Sequence, residues 1–345
     1  MSNQERIKYW DILKGIAIIL VVFGHSNALS ESVFTGIYSF HMPLFMIISG
    51  YFFYFTIQKR DILYIIKNKT YKTLVPIVLS AILIFVDKFD SDSTLHEHYL
   101  SFYGLIIHTL WFLWAILIDS ILVLALYHIS IFVCDVCSKN TITPTVLFYS
   151  SAALLSVLFI LLPNISVLQD GVKFMFPCFV FGFSMNQLKM TEIYKRHRLL
   201  SLTICVCLYA CLLTRFEHDY LYYYSGVYIF SGLYPPMKLV FINIYRFVIG
   251  VTGSLALMML LYEICQKVHL PVIGNSLANI GQHTLGIYIV SIILNYYWLK
   301  LIPSPPHFLL FPLIYTIGML IVSYFLTTLY ASMKSVLNRS ISINA

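Results

Sequence analysis

The sequence predicts an all-α fold, a polytopic membrane helix bundle. Three observations predict it. The 345 residues are 59% hydrophobic and only 11% charged, where a soluble domain of this length carries roughly a quarter charged residues. The mean hydropathy is +0.83. Apolar runs long enough to cross a ~30 Å hydrocarbon core recur along the whole chain. No segment is long and polar enough for a separate soluble domain, so residues 1–345 are expected to form a single transmembrane domain.

The N-terminus starts like a signal peptide, with Arg6 and Lys8 ahead of an apolar core from Ile16 to Phe23. Asp11 and Lys14 interrupt the approach, and His25 follows the core directly. The segment therefore reads as an uncleaved first helix, near 11–29. Further spans are expected near 37–57, 73–87, 108–133, 143–163, 171–188, 199–214, 239–262, 284–302 and 308–333. That makes about ten transmembrane helices, joined by short connections. The stretch 215–238 is aromatic and broken by glycines and by Pro235-Pro236, so it reads as interfacial or re-entrant.

Basic residues fall unevenly between these spans. One side receives Lys8, Lys59, Arg60, Lys67, Lys69, Lys72, Lys195, Arg196, Arg198 and Lys267, among others. The other receives Lys88, Arg215, Lys238 and Lys300, with the acidic loop of Asp87, Asp90, Asp92 and Glu97. The asymmetry places both termini in the cytoplasm and requires an even number of spans. In this setting the net charge of +7 is not a nucleic-acid signature. The seven cysteines form no secreted disulfide framework. Cys205, Cys207 and Cys211 are expected to be buried thiols, and the lone Cys134-Cys137 pair reads as two reduced thiols. "HEH" at 96–98 lacks the i, i+4 histidine pair of a zinc helix, and no metal is expected.

Ionisable groups inside a span are costly, and they tend to face the bundle interior and carry function. The first span reads "WDILKGIAIILVVFGHS". Lys14 and His25 are eleven residues apart, so they fall within ~20° of each other and ~16 Å apart along the axis. Asp11 lies one turn before Lys14 and joins the stripe. A plain ion pair of Asp11 and Lys14 at the membrane edge, with His25 at the helix end, is the bland alternative. The second span, "FHMPLFMIISGYFF", opens on His41 and Pro43 and centres on Ser49-Gly50. Their small size admits a ligand or simply another helix. The loop "KNKTYKTLVP" carries Lys67, Lys69 and Lys72, either a phosphate-binding rim or a positive-inside anchor.

In the fourth span His108, Trp111, Ala115 and Asp119 share a face. Asp119 is hard to dismiss, because an unpaired carboxylate at that depth is costly; Lys173 and Arg246 are its candidate partners. The ninth span, "IGQHTLGIYIVS", presents Gln282, His283, Thr284, Tyr288 and Ser291 as a polar stripe, with Gly281 and Gly286 suited to close packing. "KRHR" at 195–198 reads as a solvated loop facing anionic lipid.

"DILKGIAIILVVFGHS", "PLFMIISGYFF", "LWFLWAIL" and "GQHTLGIYIV", in this order and spacing, resemble the acyltransferase-3 family. These are integral membrane acyltransferases that modify bacterial surface sugars, antibiotics and related acceptors. The resemblance covers nearly the whole chain, is strongest in the first 120 residues, and among subgroups is most similar to the fucose O-acetylase type. It implies that Lys14 and His25 are the family's basic residue and essential histidine, separated by ten positions. The family usually has Arg where Lys14 stands. Ser49-Gly50 matches its serine-glycine pair, and Lys69 and Lys72 match a basic pair where Arg is common. Many members have histidine where Ser291 stands here.

The resemblance implies a cytoplasmic acyl-coenzyme A donor, acetyl-CoA in the usual case, and a sugar, glycan or lipid-linked glycan acceptor. It implies a multi-pass protein of the bacterial cytoplasmic (inner) membrane, with lipid as its surroundings. The chain leaves no room for the extracytoplasmic hydrolase-like domain of some members, so transfer is expected to go directly to the acceptor or to a separate partner. His25 is the expected catalytic base, with Lys14 and Asp11 beside it. Lys14, Lys69, Lys72, Ser49 and Gly50 are the expected donor-binding residues, and Trp111, Asp119, His283 and Tyr288 the candidates for substrate or oxyanion contact. The competing class is a transporter or flippase, since polar stripes on several helices also suit a substrate pathway.

Overall fold

The computed structural model describes residues 3–89, 94–136, 143–161, 167–221, 235–267, 271–302 and 310–343. Among them there are fourteen α-helices, a 3-10 turn at His218–Tyr220, and no strand. Each expected span coincides with a helix. Among the described residues, seven helical stretches are long and apolar enough to cross a membrane, or eight if a bent pair counts as one span, fewer than the ten or so expected. The chain is thus an all-α, multi-pass membrane protein. It divides into two compact units, Met1–Ile37 with Met258–Ala345, and Tyr38–Leu257.

The first unit is built on α1 (Asn3–Gly24). Leu13, Ala17, Ile18, Val21 and Val22 are buried, and so are Tyr9, Trp10 and Asp11. A helix covered on most sides is apolar nearly all round, and α1 is so except for its first turns. Those turns carry Lys8, Asp11 and Lys14, and α1 is not among the seven stretches. It ends at Gly24, and His25 N–H still donates to Val21 and Val22 carbonyls. Asn27 then takes a left-handed φ of 53°, which ends the helix at small cost for asparagine. The helix α2 (Glu31–Tyr38) follows.

In the second unit, α3 (His41–Lys59) leads to α4 (Ile62–Lys88), α5 (Leu95–His108), α6 (Trp111–Val136), α7 (Pro144–Leu161) and α8 (Val167–Gln187). The short α9 (Met190–Arg196) and α10 (Arg198–Leu213) meet at His197 with a bend of 105°. "KRHR" is therefore the joint of a bent helix pair rather than a plain loop. Cys207 and Cys211 are exposed on α10 and Cys205 is half-buried, which corrects the expectation of buried thiols. An apolar run marks a residue for lipid or for core without distinguishing them. Cys137 lies outside the described residues, as do 222–234 of the aromatic stretch.

The expected loop after residue 88 contains α5. Its first turn is a capping box: Glu97 N–H donates to Thr94 Oγ1 at 3.3 Å, and Thr94 N–H donates to Glu97 Oε2 at 2.7 Å. Glu97, counted in an acidic loop, is a helix cap.

The core of this unit is the crossing of α3 and α8. A Cβ on Gly50 would overlap the Phe179 carbonyl, and one on Gly182 would overlap the Ile47 carbonyl. The two glycines bring the backbones together reciprocally. Phe53 and Phe179 then meet edge to face with centroids 5.5 Å apart, and Asn186 donates to the Tyr51 carbonyl at 2.7 Å.

The helix α11 (Pro235–Lys267) contributes to the second unit up to Leu257 and to the first from Met258. The first unit is completed by α12 (Pro271–Gln282), α13 (Thr284–Leu301) and α14 (Phe311–Ile343), all packed on α1.

Candidate active site

In the first unit, the sequence places Asp11 and Lys14 one turn apart on α1. The structure joins them as an ion pair, Lys14 Nζ to Asp11 Oδ1 at 2.6 Å. Asp11 is buried, while the Lys14 side chain keeps 26% of its surface exposed. The carboxylate's other oxygen is also used, because Gln282 Nε2 donates to Asp11 Oδ2 at 3.1 Å.

That third member comes from α12, and a close crossing brings it there. A Cβ on Gly281 would overlap the Asp11 carbonyl oxygen and stand 3.0 Å from Gly15 N. A Cβ on Gly15 would overlap the Leu277 carbonyl. Two glycines let α1 and α12 touch backbone to backbone, and the next residue, Gln282, then reaches Asp11. Gln282 stood in the expected polar stripe without a role. Its only signal was its place beside a small residue.

His25 is half-buried at the far end of the same helix, eleven residues beyond Lys14. Continuous helix from Asn3 to Gly24 makes the expected rise of ~16 Å between them hold. The next residue, Ser26, has its Oγ buried with no hydrogen-bond partner among the described residues, and Thr35 Oγ1 on α2 is likewise buried without one.

His283 sits at the break between α12 and α13, with Nδ1 2.9 Å from the Asn279 carbonyl and its ring edge-on to Tyr324. Tyr288 is buried on α13, and Ser291 Oγ donates to its carbonyl at 3.0 Å. Gly286 faces Thr327 of α14.

The second unit holds the other predicted residues. Ser49 is half-buried, and Gly50 is spent on the contact with Phe179 described above. Gly50 thus serves helix packing, the alternative role open to it on sequence. Lys69 is half-buried with Nζ 5.0 Å from the centre of the Phe53 ring, a cation–π distance. Lys72, one turn on, is exposed, as are Lys59, Arg60 and Lys67. Trp111 opens α6 with its ring against Gly171 and edge-on to Phe112.

Asp119 is fully buried, and neither carboxylate oxygen has a hydrogen-bond partner among the described residues. Arg246, one of its candidate partners, is engaged elsewhere. Its guanidinium donates to the carbonyls of Tyr220 and Leu221 and to Asn243 Oδ1. Asn243 in turn donates to the Ile160 carbonyl. One turn of α11 therefore ties down the end of α7 and the segment after α10. Sequence proximity gave no hint of this, since carbonyl acceptors carry no residue signature. No group of three or more His, Cys, Asp or Glu side chains placed to hold a metal occurs among the described residues.

Within the first unit, a pair of charges at one end of a helix and an imidazole at the other make chemistry on a charged substrate feasible in a membrane bundle. Comparison with known proteins agrees with that class. A family model described as an acyltransferase domain matches residues 7–328. The nodulation protein NolL of Sinorhizobium fredii (strain NBRC 101917 / NGR234) is 35% identical over 134 residues, 35% of this chain and 36% of that protein. The NolL of Mesorhizobium japonicum (strain LMG 29417 / CECT 9101 / MAFF 303099) is 33% identical over 136 residues, with 35% and 36% covered. The chain thus matches about a third of the length of these curated relatives. No solved structure matches it. Since the family match spans nearly all of a chain whose helices are those of a multi-pass bundle, the protein belongs to the acyltransferase-3 family of membrane acyltransferases.

Proposed function

We propose that the protein is an O-acetyltransferase that moves an acetyl group from cytoplasmic acetyl-CoA to a hydroxyl of a sugar or glycan at the bacterial inner membrane. The observation that carries this reading is the arrangement along α1, an exposed-edge ammonium at Lys14 and an imidazole at His25 one pantetheine length away. With the N-terminus in the cytoplasm, Lys14 meets the phosphate or pantetheine end of the donor at the membrane edge. The acyl arm then runs the ~16 Å to His25.

The chemistry follows from that placement. A sugar hydroxyl is a poor nucleophile until a base takes its proton, and a histidine suits this near neutral pH. His25 removes the hydroxyl proton as the oxygen attacks the thioester carbonyl. The C–S bond breaks, and the imidazolium returns the proton to the departing thiolate. The hydroxyls of Ser26 and Thr35, without a hydrogen-bond partner among the described residues, belong to the same unit as His25 and are suited to donate to an oxyanion.

The test is acetyl-CoA binding to the purified protein by calorimetry, beside Lys14→Ala, followed by coenzyme A release in the presence of glycan acceptors. Binding that the substitution weakens supports the donor assignment. No binding by a folded wild-type protein overturns it and favours the transporter reading.

A further inference from the structure

Asp11 is buried on α1 with one oxygen on Lys14 Nζ and the other on Gln282 Nε2. We infer that Gln282 is a positioning residue: it holds the Asp11 carboxylate in one orientation and thereby sets the Lys14 ammonium for the anionic part of the acyl donor. This role rests on the donor assignment made above.

The geometry supplies the reason. A carboxylate gripped only by a lysine can rotate with that flexible side chain, and the pair then collapses on itself. A second donor on the opposite oxygen removes the rotation. Lys14 is then held by a fixed partner while its side chain stays partly exposed. Gln282 can do this only because Gly281 and Gly15 seat α12 directly on α1. Gln282 is itself exposed, so no burial fixes its side chain. The bond to Asp11 is what orders it. A neutral amide is the suitable donor, for it adds no charge to compete with Lys14 for an anion.

Among the described residues of α1, the charged groups near α12 are Asp11, its partner Lys14 and, beside Gly274, Lys8. His283 follows directly in the chain. Replacing Gln282 by glutamate therefore sets a carboxyl against Asp11. When that carboxyl is ionised, it repels Asp11 and competes for Lys14. When it is protonated, it donates to Asp11 as the amide does.

The experiment measures the acetyl-CoA dissociation constant of wild type, Gln282→Leu and Gln282→Glu between about pH 4 and pH 8. In parallel, mass spectrometry follows the rate at which an amine-reactive reagent labels Lys14. A hydrogen bond to a charged group at a partly exposed site corresponds to about a three- to tenfold effect. Gln282→Leu is expected to weaken binding by about that factor at every pH and to change the labelling rate of Lys14. Gln282→Glu is expected to bind poorly at pH 8 and to recover toward wild type as the pH falls through about 5. A merely structural residue would show no such recovery. Binding and labelling by Gln282→Leu that match wild type, or a Gln282→Glu defect that is the same at every pH, would overturn the role. If wild type binds no acetyl-CoA, the donor assignment fails, and the labelling of Lys14 alone still decides whether Gln282 sets its position.

Discussion

Gly281 faces Asp11 across the α1–α12 crossing with no room for a side chain, because a Cβ there would overlap the Asp11 carbonyl oxygen. The obstacle is backbone, which cannot swing aside as the tip of a flexible side chain can. Gly281→Ala is expected to push α12 off α1, break the 3.1 Å bond from Gln282 to Asp11 and cost about 1–3 kcal/mol of stability. Thermal unfolding in detergent measures this. An unchanged unfolding midpoint would show that the helices separate freely, against the close crossing.

His25→Ala is expected to abolish transfer while the helices stay folded. The residue lies past the last helical residue of α1, and the substitution leaves the backbone hydrogen bonds of that helix in place. Loss of a general base costs about 10²–10⁴-fold in rate. Acetyl transfer from acetyl-CoA, read by coenzyme A release, is the measurement, with circular dichroism as the folding control. Wild-type transfer by the variant would remove His25 from the mechanism.

Lys14 has two duties that substitution can separate. Lys14→Ala removes a positive charge from the donor and also strips the buried Asp11 carboxylate of its cation. The second effect is a penalty on the protein itself. The double variant Lys14→Ala, Asp11→Asn relieves it. We expect both variants to bind acetyl-CoA about tenfold or more weakly, with the double variant closer to wild type in thermal stability. Lys14→Arg keeps the charge and is expected to retain most of the affinity. Equal donor affinity in wild type and Lys14→Ala would make the lysine purely structural.

Asp119→Asn is expected to leave the unfolding midpoint unchanged or to raise it. Both Asp119 oxygens are buried without hydrogen-bond partners among the described residues, so the charged form gains nothing that an amide of the same shape loses. A clear loss of stability would reveal a cation or proton-donating partner for the carboxylate. Trp111, on the same helix, provides an internal tryptophan signal to follow the unfolding.

Much of the architecture was legible because a bilayer imposes a strong and local constraint. Each backbone group must be satisfied within its own segment, so every span shows up as an apolar run. All ten expected segments are helices for this reason. The helices that escaped notice, α2, α5, α9 and α12, are 8, 14, 7 and 12 residues long, too short to stand out as membrane-crossing runs. In α5, the Thr94–Glu97 capping box fixes the start, but exposed Tyr99, Leu100 and Tyr103 blur the pattern. The Asp11–Lys14 pair was equally legible, because residues three apart on a helix are neighbours whatever surrounds them.

The sequence by itself determined the all-α membrane class, the positions of the ten expected helices, and the stripe of Asp11, Lys14 and His25 along the first of them, since these depend only on hydropathy and on the helical repeat. Only the tertiary structure decided that Gln282 is the second partner of Asp11, that Gly50 serves the crossing with α8, and that Arg246 holds the carbonyls of Tyr220 and Leu221 rather than Asp119. Each of these depends on which backbone comes within contact distance of which, across separations of up to 271 residues. A helix presents the same carbonyls and amides whatever its side chains, so that choice is made by packing and leaves no local pattern to read.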